Sequence, residues 1–259
     1  MDTYVFMALL ATTGTWLVTA LGAATVIFFK APNAKLLNLM LGFAAGVMIA
    51  ASFWSLLAPA IERAENLNFP PAIIAASGFL SGALFIWASD KFINFVRKDN
   101  FKESGRKRII MLILSITLHN IPEGLAVGVA FGALKGAFST DALMGAVSVA
   151  IGIGLQNFPE GAAVSLPLRR DGYSRKKSFF LGQASGMVEP VSGLIGALLV
   201  MYVDKILPFA LSFAAGAMIT VAVHELIPEC RENFRDSYFS TMGIVTGFAV
   251  MMLLDVMLG

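Results

Sequence analysis

Two stretches of this chain place side chains that can hold a cation inside apolar surroundings, LHNIPEGLAV at 118–127 and LQNFPEGAAV at 155–164, 37 residues apart. Each carries a carboxylate (Glu123, Glu160), a carboxamide (Asn120, Asn157) and, one position earlier, an imidazole or a second amide (His119, Gln156). On a helix, residues three and four apart share a face, so His119, Asn120 and Glu123 project together, and Gln156, Asn157 and Glu160 repeat the pattern. Pro122 and Pro159 have no N–H, which frees the carbonyls of Leu118 and Leu155 and is expected to bend each helix beside these side chains. A third carboxylate, Glu189, stands directly before Pro190. Oxygen and imidazole donors gathered in an apolar environment are the chemistry of a divalent-cation site.

The elements that must position these residues follow from composition. Of the residues, 57% are hydrophobic and only 14% charged, against roughly 45–50% and about 25% in soluble domains. The chain reads as an integral membrane protein. A net charge of +2 gives no basis for nucleic-acid binding. Cys230 is the single cysteine, so neither an intramolecular disulfide nor a CxxC metal site is available. Eight apolar runs are long enough to cross a bilayer as helices: about 5–29, 36–58, 70–95, 107–134, 142–167, 176–201, 206–228 and 238–258. They are continuously apolar instead of alternating, which argues for an all-α polytopic fold and against a barrel. The first run lacks a basic leader and is expected to be retained as a span. With both termini outside, 16 of the 19 Lys and Arg residues fall in cytoplasmic connections, leaving Arg63, Lys135 and Lys205 outside. The chain is therefore expected in the cell (inner or plasma) membrane, as one domain in contact with the lipid bilayer.

The runs are related to one another. FAAGVMI (43–49) in the second run is matched by FAAGAMI (213–219) in the seventh. Gly78, Gly82 and Asp90 in the third keep the spacing of Gly243, Gly247 and Asp255 in the eighth. Under the topology above, partners cross the membrane in opposite directions. Spans 1–3 thus read as an inverted repeat of spans 6–8 around a central pair, spans 4 and 5, which is a sequence signature of secondary transporters.

At about 1.5 Å per residue, His119, Gln156, Glu189 and Met48 lie roughly 18–21 Å into their spans, near the bilayer midplane. No Lys or Arg stands at mid-span to neutralise Glu123, Glu160 and Glu189. A buried carboxylate without a countercharge protonates or binds a cation. Oxygen donors with one imidazole suit Zn²⁺, Fe²⁺ or Mn²⁺, and a thioether from Met48 would favour a softer ion such as Cd²⁺. A second constellation lies nearer the faces. Glu62 and Asp255 fall toward the outer ends of spans 2 and 8, and Asp90, His224 and Glu225 toward the inner ends of spans 3 and 7, where they could mark outer access and inner exit. His224-Glu225 also invites a metalloenzyme reading, but the sequence is HELIP, without the second histidine of HExxH, and the chain has only 2 histidines. A cation channel is the other alternative to a carrier.

On the strength of HNxPEG in span 4 followed by xNxPEG in span 5, the chain resembles the ZIP (Zrt-, Irt-like) family of divalent metal transporters, in its bacterial GufA-like branch. The resemblance covers essentially all the spans. It implies a binuclear centre, one metal at His119, Glu123, Gln156 and Glu160 with Met48 at its edge, the other at Asn120, Glu123, Asn157, Glu160 and Glu189. It further implies alternating access, spans 1, 4, 5 and 6 moving against spans 2, 3, 7 and 8, and often a homodimer. The metal is cargo in this reading, and no cofactor is expected. The chain departs from the family pattern at Gln156, where many relatives have histidine, and at Asn157, where some bacterial relatives have aspartate. The connection between spans 3 and 4, histidine-rich in many relatives, contains no histidine here.

Overall fold

The structure, a computed structural model, describes residues 2–29, 34–67, 70–100, 105–136, 138–170, 172–202, 204–232 and 238–258. Among them every regular element is helical. Span 1 is α1 (Thr3–Ala24), capped by the Asp2 carboxylate and closed by a 3₁₀ turn at Thr25–Ile27. Span 2 runs from α2 (Ala34–Ala51) through a π-helical turn (Ser52–Leu57) into α3 (Ala58–Asn66). Spans 3, 4 and 5 are α4 (Pro71–Asn100), α5 (Gly105–Ala133) and α6 (Thr140–Arg170). Span 6 is split into α7 (Arg175–Ala184) and α8 (Val188–Tyr202) by a 3₁₀ turn at Ser185–Met187. Span 7 is α9 (Leu207–Val221), a second π-helical turn (Ala222–Leu226) and α10 (Ile227–Glu232), and span 8 is α11 (Tyr238–Leu258). Seven spans are long and apolar enough to cross a membrane among the described residues; α5, with 29 residues, completes the eight.

Three departures from the expected spans have local causes. The second span continues to Asn66, well past the expected end near 58, because Pro59 falls in the first turn of α3, just beyond the π turn. A widened turn relieves the clash of a proline ring with the carbonyl four residues back, and Pro228 follows the second π turn in the same way. The sixth span is broken in mid-course, with Pro190 in the first turn of α8, where a missing N–H costs nothing. Pro122 and Pro159, in contrast, leave the helical assignment of α5 and α6 uninterrupted.

The inverted repeat is carried by backbone contacts at glycine. A Cβ on Gly78 or Gly82 of α4 would fall on the carbonyls of Phe209 or Phe213 of α9, and one on Gly243 or Gly247 of α11 on those of Leu39 or Phe43 of α2. The two sets of partners are 170 residues apart, the shift that aligns the FAAG repeats, and both π turns occupy the same place in it. α1 locks onto α6 through Gly22 and Gly161, and α5 onto α8 through Gly124, Gly128 and Gly196. These contacts stay within two groups: α1 with α5–α8, and α2–α4 with α9–α11. Among the described glycines none sets its backbone against a helix of the other group. Asp2 and Lys135, 3.2 Å apart, place the start of α1 and the α5–α6 connection on one face, as the charge pattern requires. The N–H of Tyr4, and then Lys135, hold the Asp2 carboxyl below its usual range.

Gly82→Val and Gly247→Val are expected to destabilise the protein by about 1–3 kcal/mol each through overpacking against backbone. Gly14→Ala, where a Cβ would meet nothing within 4 Å, is expected to stay within about 0.5 kcal/mol. Denaturation midpoints in detergent check both.

Candidate metal centre

The fold brings the two repeated stretches and the start of α8 together. Asn120 and Glu123 of α5, Gln156, Asn157 and Glu160 of α6, and Glu189 of α8 are all buried, and no Lys or Arg is buried among the described residues. Glu160 and Glu189 are the acidic neighbours that act on the charge of Glu123. Glu189 also sits in the first turn of α8.

The carboxamides are oriented by what they face. Gln156 Nε2 donates to Glu123 Oε1 at 2.7 Å, Asn157 Nδ2 to Glu189 Oε2 at 2.9 Å and to the Thr15 carbonyl at 3.2 Å, and Asn120 Nδ2 to the Ser185 carbonyl at 3.1 Å. The backbone carbonyls accept only, as the carboxylates do when ionised, so the NH₂ end of each amide points at its partner. The consequence is a surplus of lone pairs: Asn120 Oδ1, Glu123 Oε2, Gln156 Oε1 and Asn157 Oδ1 are buried without a hydrogen-bond partner. Buried acceptors in excess of donors are what a bound cation satisfies. Among the described residues no three His, Cys, Asp or Glu side chains form a metal-holding cluster by themselves; the oxygens are shared between carboxylates and carboxamides. The His119 side chain lies outside the described residues. Met48 is fully buried on α2, in the apolar cluster that also holds Val127 and Ile153, one turn from Glu123 and Gln156 on their helices.

Glu62 and Asp255 lie apart from Asp90, His224 and Glu225. Glu62, Asp255, Arg63 and Asp141 line a cavity of about 710 Å³ formed by α3, α11, the start of α6 and the start of α9. Asp255 Oδ1 accepts from Ser55 of the first π turn at 2.7 Å and from Ser148 of α6 at 2.8 Å, which ties the two helix groups together. His224, exposed in the second π turn, reaches Asp90 of α4 at 3.6 Å, and Glu225 follows it in the same turn. A larger groove of about 1140 Å³ between α1, α2, α6 and α11 is lined by no ionisable side chain among the described residues.

Sequence reasoning passed over Thr15 and Thr19 of α1. The Thr15 hydroxyl lies nearer Glu189 Oε2 than its alternative acceptor, the Thr12 carbonyl, and the Thr19 hydroxyl lies 3.4 Å from Glu189 Oε1, as it does from the Thr15 carbonyl. Their signal is an inverted amphipathicity: α1 buries Thr12, Thr15 and Thr19 while exposing Leu10, Leu17 and Leu21.

A family profile described as ZIP Zinc transporter matches residues 102–255. The chain belongs to the ZIP family. It is 39% identical to "Zinc transporter ZIP11" of Xenopus tropicalis, the match covering 98% of each chain. It is 37% identical to "Zinc transporter GufA" of Myxococcus xanthus, over 93% of this chain and 94% of that one. It is also 35% identical to "Zinc transporter ZIPB" of Bordetella bronchiseptica, over 93% of this chain and 78% of that one. These matches support the GufA-like branch. Membership in a transporter family sets aside the metalloenzyme reading of His224-Glu225 and makes the chain a multi-pass membrane protein.

Ser148→Ala is expected to lower stability by about 0.5–1.5 kcal/mol through loss of the bond to Asp255. In combination with Ser55→Ala the loss should be non-additive, since both hydroxyls serve one carboxylate oxygen. Thermal unfolding of the single and double variants reads this directly.

Proposed function

We propose that this protein carries divalent transition-metal ions, Zn²⁺ first among them, into the cytoplasm through a midplane site built on Glu123 and Glu160. The observation that carries the reading is the surplus of buried, unpartnered acceptor oxygens on α5 and α6, with no buried Lys or Arg among the described residues. In this reading His119, Glu123, Gln156 and Glu160, with Met48 at the edge, hold the first ion. Asn120, Asn157 and Glu189 extend the site toward a second, with Glu123 and Glu160 shared. Metal enters past Glu62 and Asp255, exchanges its water for these ligands, and leaves past His224, Asp90 and Glu225. The two glycine-locked helix groups support alternating access, with α1 and α5–α8 moving against the remainder. Both termini face outward in this scheme, and a homodimer is the assembly the family resemblance favours.

Radiotracer Zn²⁺ uptake into vesicles tests the site. Glu123→Ala and Glu160→Ala are each expected to abolish saturable uptake, and full transport by both would overturn the assignment. Saturation with metal concentration is expected of a carrier; flux linear in metal would instead mark a channel. Uptake should fall as the pH is lowered, because protons compete with metal for the same carboxylates. Gln156→His, which exchanges an amide for an imidazole, should raise zinc affinity about tenfold in calorimetry.

A further inference from the structure

Glu189 differs from the other carboxylates of the centre in having both oxygens engaged. Oε2 accepts from the Thr15 hydroxyl and from Asn157 Nδ2 at 2.9 Å, and Oε1 accepts from the Thr19 hydroxyl at 3.4 Å. All four residues are buried, with Thr15 3%, Thr19 1%, Asn157 0% and Glu189 0% exposed. A Cβ on Gly186 would meet both Glu189 Oε1 and the Thr19 hydroxyl, so the backbone of span 6 closes over the group.

The repeat explains why α1 supplies hydroxyls here. Asn120 donates to the Ser185 carbonyl at 3.1 Å, and Asn157, its counterpart 37 residues on, donates to the Thr15 carbonyl at 3.2 Å. Gly124 abuts the Glu189 carbonyl, and its counterpart Gly161 abuts the Thr19 carbonyl. Thr15 and Thr19 lie 170 residues before Ser185 and Glu189, the shift that relates spans 2 and 7. α1 therefore stands to α6 as α8 stands to α5. One side of the centre carries a carboxylate, and the other a threonine in its place.

We propose that Thr15 and Thr19, with Asn157, are positioning residues that clamp the Glu189 carboxylate and set the number of metal ions bound, one tightly held ion in the wild type. The inference rests on the metal site proposed above. An ion that recruits Glu189 must displace three hydrogen bonds to a charged acceptor, and Asn157 offers it a neutral oxygen in return. Each bond to a charged group weakens second-site binding by about tenfold or more.

The purified full-length protein is titrated with Zn²⁺ or Cd²⁺ by calorimetry, and metal per chain is counted after removal of excess. Wild type should retain one tight equivalent. The double variant Thr15→Val, Thr19→Val should bind a second about tenfold tighter or more than wild type does. Thr15→Ser, which keeps a hydroxyl, should match wild type. Asn157→Asp, which withdraws one donor and adds a carboxylate, should also gain second-site affinity and stands independently if the valine variant fails to fold. Two tight equivalents in the wild type, or a second site that the valine and aspartate variants leave unchanged or weaken, would overturn the proposal. Glu123→Ala separates the two levels: retention of the first ion would sink the metal site itself, whereas its loss leaves only the clamp in question.

Discussion

Everything in this molecule answers to the cost of holding carboxylates in hydrocarbon without a countercharge. Glu123 and Glu189 are buried on helices that offer no lysine or arginine at their depth. An ionised carboxylate in such a place needs donors or a cation. Protein donors serve the two unequally. Glu189 is met by two hydroxyls and an amide, whereas Glu123 accepts one bond from Gln156 and keeps an oxygen without a protein donor. The carboxamides complete the division by turning their NH₂ groups to the protein, which leaves their oxygens over.

Chain geometry makes that arrangement attainable. Three helices must approach closely enough for α5, α6 and α8 to share one site, and glycine against carbonyl is how they do so: Gly124 at the Glu189 carbonyl and Gly161 at the Thr19 carbonyl lie beside the very residues that carry the chemistry. The 3₁₀ turn in span 6 then sets the start of α8, and with it Glu189, at the centre. The repeat places the same backbone relation on the other side of the centre, so the site is symmetric in its scaffold and asymmetric in its side chains.

The spans, their pairing and the polar face of α5 and α6 were legible in the sequence because each has a pattern: unbroken apolar length, the FAAG repeat, and i, i+3, i+4 spacing of polar residues. The end of span 2 was misplaced because Pro59 reads as a stop unless a π turn absorbs it. The 3₁₀ break at Ser185–Met187 was missed because an apolar run says nothing of its internal hydrogen bonding. Thr15 and Thr19 were invisible for another reason. A hydroxyl in an apolar helix ordinarily bonds the carbonyl a turn back, as Thr12 does to Ala8, and the partner that gives these two their importance is more than 160 residues away. The hydrogen bond from Gln156 Nε2 to Glu123 Oε1 likewise depends on the distance between two helices, which no local pattern encodes.

The two glycine-locked groups meet along a boundary of different texture. Where Gly152 of α6 comes up against α11, its neighbour is the flexible Met251 side chain and not backbone, and Gly14 and Gly145 on the same group of helices meet nothing at all. Side chains can change rotamer in place; interlocked backbones cannot slide without first separating. The groups are thus interlocked backbone to backbone internally and meet at Gly152 through a side chain, with the Ser148–Asp255 hydrogen bond also crossing between them. In the alternating access proposed above, it is this boundary of pliable side chains, at Met251 and along the Ser148–Asp255 bond, that would have to rearrange each time the cargo changes sides.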